Sequence, residues 1–141
     1  MAENKIRLKI ITPEKIKVDQ DVRMVIMRCV TGDLGVLPGH KPCSALLDYG
    51  LLRILADDSE RRMAVYGGLA MIRNDVLTIL TDDADWPEEI DLARANLDRE
   101  YAEKRLREKL DDMEIQNDQV LLRRALVQIE VSSSSLIDED E

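Results

Sequence analysis

The first half of the chain alternates hydrophobic and polar residues with the two-residue period of half-buried β-strands. Ile6, Leu8 and Ile10 form the first such segment, with Arg7 and Lys9 between them. Further short segments rich in Leu, Ile, Val and Met follow at residues 22–30, 51–55, 63–66, 69–72 and 76–80. Many short strands at this spacing predict an antiparallel β-sandwich.

Residues that favour turns separate the predicted strands. They lie at positions 48–50, 57–59, 67–68 and 73–75 and are mostly Gly, Asp and Asn. All six glycines of the chain lie in the first half, whereas the second half contains none. This change in composition predicts a β unit at residues 1–84 and a helical unit after it.

The second half has the spacing of two amphipathic helices. Pro87 followed by Glu88 and Glu89 is typical of a helix start. The apolar stripe of the first predicted helix comprises Ile90, Ala93, Leu97, Tyr101, Ala102, Leu106 and Leu110. After a polar turn at residues 111–117, we expect Asp118 to cap a second helix, whose apolar face comprises Leu121, Leu122, Ala125, Leu126 and Ile129. The sequence thus predicts an antiparallel two-helix hairpin at residues 85–131.

The distribution of charge changes at the same boundary. Residues 1–84 carry 12 basic and 12 acidic residues, whereas residues 85–141 carry 8 basic and 17 acidic residues, so the whole net charge of −9 lies in the second part. The last ten residues, 132–141, begin with four serines and end in acidic residues. Such a segment buries little apolar surface, so we expect a disordered acidic tail there.

Composition excludes several classes of function. An acidic chain with a pI near 4.7 lacks the basic face that non-specific nucleic-acid binding needs. No apolar segment reaches the roughly 20 residues of a membrane span, so we expect no direct membrane insertion. Two cysteines, Cys29 and Cys43, and one histidine, His40, are too few for a metal cage or a histidine-based catalytic dyad. We therefore expect no metal site and no catalytic residues.

Asp91 and Arg94 lie three residues apart, which places both side chains on one side of the first predicted helix. One interpretation is an ordinary surface ion pair. The other is a nucleotide clamp, in which Arg94 faces a phosphate and Asp91 accepts a hydrogen bond from a base or a ribose. The spacing leaves both interpretations open.

Six segments, taken in order, resemble the epsilon subunit family of bacterial F-type ATP synthases. They are residues 12–14 (TPE), 32–42 (GDLGVLPGHKP), 65–68 (VYGG), 76–80 (VLTIL), 90–95 (IDLARA) and 124–126 (RAL). The resemblance runs from about residue 6 to residue 131. The LGVLPGH stretch is specific, and the ordered set is more specific than any single motif.

The resemblance implies a β-sandwich of about ten strands followed by a helical hairpin. It implies a non-catalytic rotor subunit of the central stalk, which couples the c ring and the gamma subunit to the catalytic head during ATP synthesis. Thr31, Gly32 and Asp33 correspond to the contact with the c ring, and His40 corresponds to a surface beside gamma. The implied location is peripheral, at the cytoplasmic face of the bacterial cell membrane.

In relatives, the hairpin either folds against the sandwich or extends along gamma to the alpha and beta catalytic subunits, where it inhibits ATP hydrolysis. Arg123 and Arg124 are the candidates here for contact with the acidic surfaces of those subunits. The resemblance therefore implies a regulatory role for the helices in addition to the coupling role of the sandwich.

Some relatives bind ATP in the folded form of the hairpin. Their motif is matched here at Ile90, Asp91, Arg94, Ala95 and Arg124, whereas Tyr101 and Gln128 stand where those relatives carry arginines. Because each charge-assisted hydrogen bond contributes roughly 1.5–3 kcal/mol, the loss of two arginines implies weak binding. We therefore expect ATP as a weak regulatory ligand and no required cofactor. The alternative function is a stand-alone ATP-sensing module without a stable partner.

Overall fold

The computed structural model describes the backbone of residues 4–108 and 111–139, and side chains as far as residue 133. The chain divides into two compact units between Asp85 and Trp86. This division lies one residue after the boundary that composition predicts. Among the described residues, all regular elements of the first unit are strands and all those of the second are helical. The predicted fold class, a β-sandwich-like sheet followed by two helices, is therefore confirmed.

The described residues of the first unit form eight strands in one hydrogen-bonded sheet. They are β1 (Ile6–Ile11), β2 (Ile16–Val22), β3 (Met24–Cys29), β4 (Gly32–Val36), β5 (Cys43–Leu55), β6 (Glu60–Arg73), β7 (Val76–Leu80) and β8 (Ala84–Asp85). The order across the sheet is β2-β1-β7-β6-β5-β3-β4, and β8 pairs with β6. All pairs are antiparallel except β1 with β7, which is parallel.

Two long strands explain why the sheet has eight strands where the resemblance implies about ten. β5 has 13 residues and β6 has 14, and the predicted turns at residues 48–50 and 67–68 lie inside them. Those two turn predictions are wrong. Gly67 and Gly68 do adopt positive φ values, +77° and +129°, but they kink β6 rather than reverse it. At this kink β6 exchanges its neighbour β8 for β7.

The core of the β unit is mostly aliphatic, with alternate residues buried along most strands and five consecutive residues, 63–67, buried in β6. Ile6, Leu8 and Ile10 of β1 are at most 1% exposed, and the residues between them are half-buried. The tight turn between β6 and β7 is confirmed, since Asn74 and Asp75 both have positive φ and Arg73 pairs with Val76. The two-residue hydrophobic period and the local turn residues are sufficient to predict these features.

The second unit contains a 3-10 turn (Pro87–Glu89) and two adjacent helices, α1 (Leu92–Leu106) and α2 (Asp112–Glu139). α2 begins six residues earlier than the expected cap at Asp118. The backbone N–H of Glu114 donates to the Asp111 side chain at 2.8 Å, so Asp111 occupies the capping position. The prediction that Asp118 caps this helix is therefore wrong.

Small residues form the buried face of α1, whereas on α2 they share the buried positions with Val127, Val131 and Asp118. Of the predicted apolar stripes, Ala102 and Ala125 are buried. Ala95 and Ala102 are buried on α1 at a spacing of seven residues, and Ala125 and Ser132 are buried on α2 at the same spacing. Such a seam lets two helices approach closely, so bulky side chains face away from it. The predicted stripe members that the structure exposes are Ala93, Leu97 (62%), Tyr101 (54%) and Leu126 (47%). Leu110 lies outside the described residues.

α2 continues through residues 132–139, where the sequence predicts a disordered tail. Adding serine to an existing helix costs only about 0.5 kcal/mol relative to alanine, and it avoids the cost of nucleating a new helix. Ser132 is also buried, which ties the start of this segment to the packed part of the hairpin. Residues 140 and 141 of the expected tail lie outside the described residues.

Candidate functional site

Asp91 and Arg94 lie together at the start of α1, but their side chains do not pair with each other. Asp91 is the N-cap residue, and its carboxylate accepts a hydrogen bond of 3.1 Å from the backbone N–H of Arg94. The Arg94 guanidinium donates from Nε to Asp98 at 3.1 Å and is 73% exposed. The interpretation as a surface ion pair between Asp91 and Arg94 is therefore wrong, and Asp91 has a structural role of its own.

The other candidate nucleotide positions are distributed over both helices. Ala95 is buried in the seam of small residues, and Ile90 is half-buried just before α1. Arg124 and Gln128 are half-buried on α2, and Tyr101 is mostly exposed on α1. Arg123, the second candidate for contact with a partner, is exposed on α2. The structure thus brings Asp91 and Arg94 together, whereas Arg124 lies on the other helix.

Replacing Asp91 with alanine is expected to destabilise the start of α1 by about 1 kcal/mol, because the cap is lost. Asparagine caps helices as well as aspartate, so Asp91→Asn should retain most of this stability. Hydrogen exchange of the first amides of α1 measures the effect without any ligand. Equal losses for Asp91→Ala and Asp91→Asn would contradict a capping role. Tests of nucleotide binding at Asp91 therefore need the asparagine variant.

The three candidate residues for the c-ring contact lie at the exposed tip of the β3–β4 hairpin, with Thr31 in its turn and Gly32 and Asp33 at the start of β4. Thr31, Gly32 and Asp33 are all exposed, and Gly32 has a φ of +126°. Asp33 approaches Arg28 on the paired strand, with 4.0 Å between the Arg28 Nε and a carboxylate oxygen. A tight turn held by a paired strand presents its side chains in one orientation, which suits a contact surface.

His40 lies beyond the other end of β4, in the loop that leads to β5. Its ring nitrogen Nδ1 lies 2.8 Å from the carbonyl oxygen of Lys41, and its backbone N–H donates to Leu37 at 3.1 Å. The N–H of Gly39 donates to the Asp75 carboxylate at 2.7 Å, which ties this loop to the β6–β7 turn. His40 is therefore separated from the turn at residues 31–33 by the length of a strand.

A row of apolar side chains crosses the face of the sheet that points away from the core. We call it the apolar row, and its members, in order from β2, are Ile16, Ile11, Leu80, Leu69, Leu46 and Val30. Members on adjacent paired strands are direct register partners, and the N–H of Val30 donates to the carbonyl of Leu46 at 3.0 Å.

Most side chains of the apolar row are more exposed than is usual for large aliphatic residues. Val30 and Leu46 are each 64% exposed, Ile16 is 60% exposed and Leu80 is 41% exposed. Five strand spacings of about 4.8 Å give the row a length of about 24 Å. Contiguous exposed apolar surface of this kind marks an interaction site rather than ordinary solvent-facing surface. Its Val30 end directly adjoins the turn at residues 31–33.

A cleft of about 350 Å³ lies beside the middle of the apolar row. Its lining includes Ile11 and Leu80 of the row together with Pro13, Gly68 and Thr81. A Cβ atom at position 68 would collide with the carbonyl oxygen of Leu80 and lie 3.0 Å from the Cα of Thr81. Glycine therefore allows β6 and the end of β7 to approach closely at the edge of this cleft.

Sequence analysis missed the apolar row because strand register is a non-local property. A local signal did exist: Leu46 precedes the buried Leu47, so both faces of β5 carry leucine at that point. In residues 4–108 and 111–139, no three His, Cys, Asp or Glu side chains are arranged to hold a metal ion. Within the same ranges, neither helix has the length and apolar character needed to cross a bilayer.

Comparison with known proteins identifies the family. The profile of the ATP synthase delta/epsilon chain β-sandwich domain matches residues 5–87, and the profile of the long α-helix domain of the same chains matches residues 88–133. A relative from Caldicellulosiruptor bescii named ATP synthase epsilon chain is 37% identical over 128 residues, which cover 91% of this chain and 93% of the relative. The chain belongs to the ATP synthase epsilon chain family.

Solved structures agree with this family at the level of the fold. A chain of the Euglena gracilis mitochondrial ATP synthase, solved as OSCP/F1/c-ring, superposes with a TM-score of 0.80 at 22% identity, covering 96% of this chain and 84% of its own length. A chain of the Tetrahymena thermophila mitochondrial central stalk and c ring superposes with a TM-score of 0.53 at 16% identity, covering 63% and 72%. As an epsilon chain, the protein is a non-catalytic subunit of the rotary ATP synthase.

Proposed function

We propose that this epsilon chain is a rotor subunit that couples the c ring and gamma to the catalytic head and regulates ATP hydrolysis through its two helices. The observation that carries the coupling role is the apolar row, which is about 24 Å long and has four of its six side chains exposed and the other two half-buried. A subunit that rotates together with gamma and the c ring needs a stiff docking surface of this kind. The sheet supplies that stiffness through its paired strands.

The apolar row is the proposed docking surface for gamma, and the adjoining turn with Thr31, Gly32 and Asp33 is the proposed contact with the c ring. The two surfaces are continuous at Val30, whose N–H bonds to the Leu46 carbonyl. His40 is a separate candidate contact with gamma at the far end of β4. Through these contacts the chain would be held peripherally at the cytoplasmic face of the bacterial membrane.

The regulatory role rests on the construction of the hairpin. The apolar residues buried on the described parts of the two helices are three alanines and two valines, so no large side chain is buried there, and isolated helices of this length are marginal in water. We therefore infer that the closed and extended hairpins differ little in free energy. In the extended state Arg123 and Arg124 would meet the alpha and beta subunits, and this state would inhibit hydrolysis.

ATP is the proposed weak ligand of the closed hairpin, through Asp91, Arg94 and Arg124. A ligand at ten times its Kd stabilises the bound state by about 1.4 kcal/mol, which matters only for a nearly balanced equilibrium. The competing function is a stand-alone ATP sensor. The apolar row favours the rotor subunit, since a sensor without a stable partner has no use for an exposed apolar surface of that length.

The test of this function is the ATP hydrolysis rate of the assembled complex with the full chain and with a chain that lacks residues 88–141. If about half of the complexes hold the extended hairpin, truncation should raise the rate about two-fold. The control is that both forms copurify with gamma and the catalytic subunits. An unchanged rate would refute regulation, and a chain that purifies alone would support the sensor.

A further inference from the structure

A hydrogen-bonded ion pair joins the two helices beside the bend of the hairpin. The Nε of Arg105, in the last turn of α1, donates to the Asp118 carboxylate at 3.0 Å. Asp118 lies inside α2 and its side chain is only 10% exposed, whereas the Arg105 side chain is 30% exposed. This pair gives a role to Asp118, which does not cap α2.

Two further groups surround the Arg105 guanidinium. Glu114 approaches to 3.8 Å from the first turns of α2, and the ring of Tyr101 lies one helical turn earlier, with its centroid 5.6 Å from the Arg105 Cζ. The hydrogen bond to Asp118 raises the pKa of Arg105 above its ordinary value. The Arg105 side chain thus contacts two carboxylates of α2 and one aromatic ring of its own helix, α1.

Asp118 shares its face of α2 with the buried seam. Asp118, Ala125 and Ser132 follow one another at intervals of seven residues, and all three are at most 9% exposed. A carboxylate on this face is costly to bury without a partner, and Arg105 supplies that partner. The pair therefore favours the one arrangement in which α2 lies against α1.

We propose that Arg105 and Asp118 form an electrostatic clasp, which holds the hairpin closed and sets how readily the two helices separate. Its place beside the bend is significant, because only 12 residues separate the partners along the chain. A short loop costs little entropy to close, so the clasp can form before the rest of the seam packs. The clasp depends on the hairpin alone and not on the proposed partners or on ATP.

A matched control exists within α1. Arg94 and Asp98 form an Arg–Asp hydrogen bond of 3.1 Å, nearly the same length as the clasp, but both residues belong to one helix. Asp98→Asn and Asp118→Asn remove the same charge and make the same change in helix propensity. Only the second should affect the separation of the helices.

The experiment is hydrogen exchange of the full chain, which reports the open fraction of the hairpin when reclosing is faster than exchange from the open state. Asp118→Asn should accelerate exchange of α1 and α2 amides about ten-fold, or about 1.4 kcal/mol, while exchange in the β strands stays unchanged. Asp98→Asn should change the rate less than about two-fold. Arg105→Lys keeps the charge but loses the planar fork, so a smaller acceleration than that of Asp118→Asn is expected.

A double-mutant cycle separates a clasp from two independent effects. Arg105→Gln combined with Asp118→Asn should exchange no faster than the faster single variant, because each change removes the same interaction. Additive acceleration, equal effects of Asp98→Asn and Asp118→Asn, or an unchanged rate in both clasp variants would each overturn the proposal.

Discussion

Gly68→Ala is expected to destabilise the β unit by more than about 4 kcal/mol, a value that only a few mechanisms can produce. Two mechanisms act together here. The φ of +129° lies in a region that residues with a Cβ rarely adopt, at a cost of about 1–3 kcal/mol. The added methyl group would also collide with the backbone of Leu80 and Thr81, which cannot move aside as a flexible side chain could.

Gly32→Ala is the matched control for this prediction. Gly32 has nearly the same φ, +126°, but a Cβ there has nothing within 4 Å. It should therefore cost only the conformational term, about 1–3 kcal/mol. Guanidinium unfolding followed by circular dichroism measures both variants. If Gly68→Ala and Gly32→Ala lose the same stability, the close approach of β6 to β7 is not what requires glycine at position 68.

Leu46→Glu is expected to weaken binding of gamma by at least about 30-fold, roughly 2 kcal/mol, with little effect on folding. Leu46 lies within the apolar row and is 64% exposed in the chain alone, so the isolated protein should tolerate the charge. In an assembled stalk the same position would be buried against the partner, where an unpaired carboxylate is costly. The measurement is the Kd for gamma, with thermal unfolding as the check on folding.

The control for Leu46→Glu adds the same charge at the opposite end of β5. Ser59 is exposed in the turn between β5 and β6, away from the apolar row, and Ser59→Glu should leave the affinity for gamma unchanged. Loss of affinity in both variants would indicate a general effect of negative charge. Unchanged affinity in Leu46→Glu would show that gamma docks elsewhere on the chain.

The roles of some candidate-site residues can be predicted from the sequence, whereas those of others cannot. Asp91 and Arg94 stand out by spacing, and the structure does place them together, but the capping role of Asp91 depends on where α1 begins. The clasp of Arg105 and Asp118 escapes sequence analysis, because nothing local states which residue of one helix faces which residue of the other. The sequence therefore predicts a cap at Asp118, where the structure has an interhelical ion pair.

The residue order by itself determined that strands come first and helices second, that the boundary lies near residue 85, and that the core of the β unit is aliphatic. It also determined the position of the two-residue turn at Asn74–Asp75. These properties follow from local period, from composition and from the φ values that each residue type tolerates.

Only the tertiary structure decided which face of α1 became the buried seam and which apolar residues aligned across the sheet. Ala95 is buried while Leu97 is exposed, although leucine is the more hydrophobic. The apolar row likewise depends on the register of pairs such as Leu46 with Leu69. The physical reason is the same in both cases, because packing and register depend on contacts between segments that are distant in the chain.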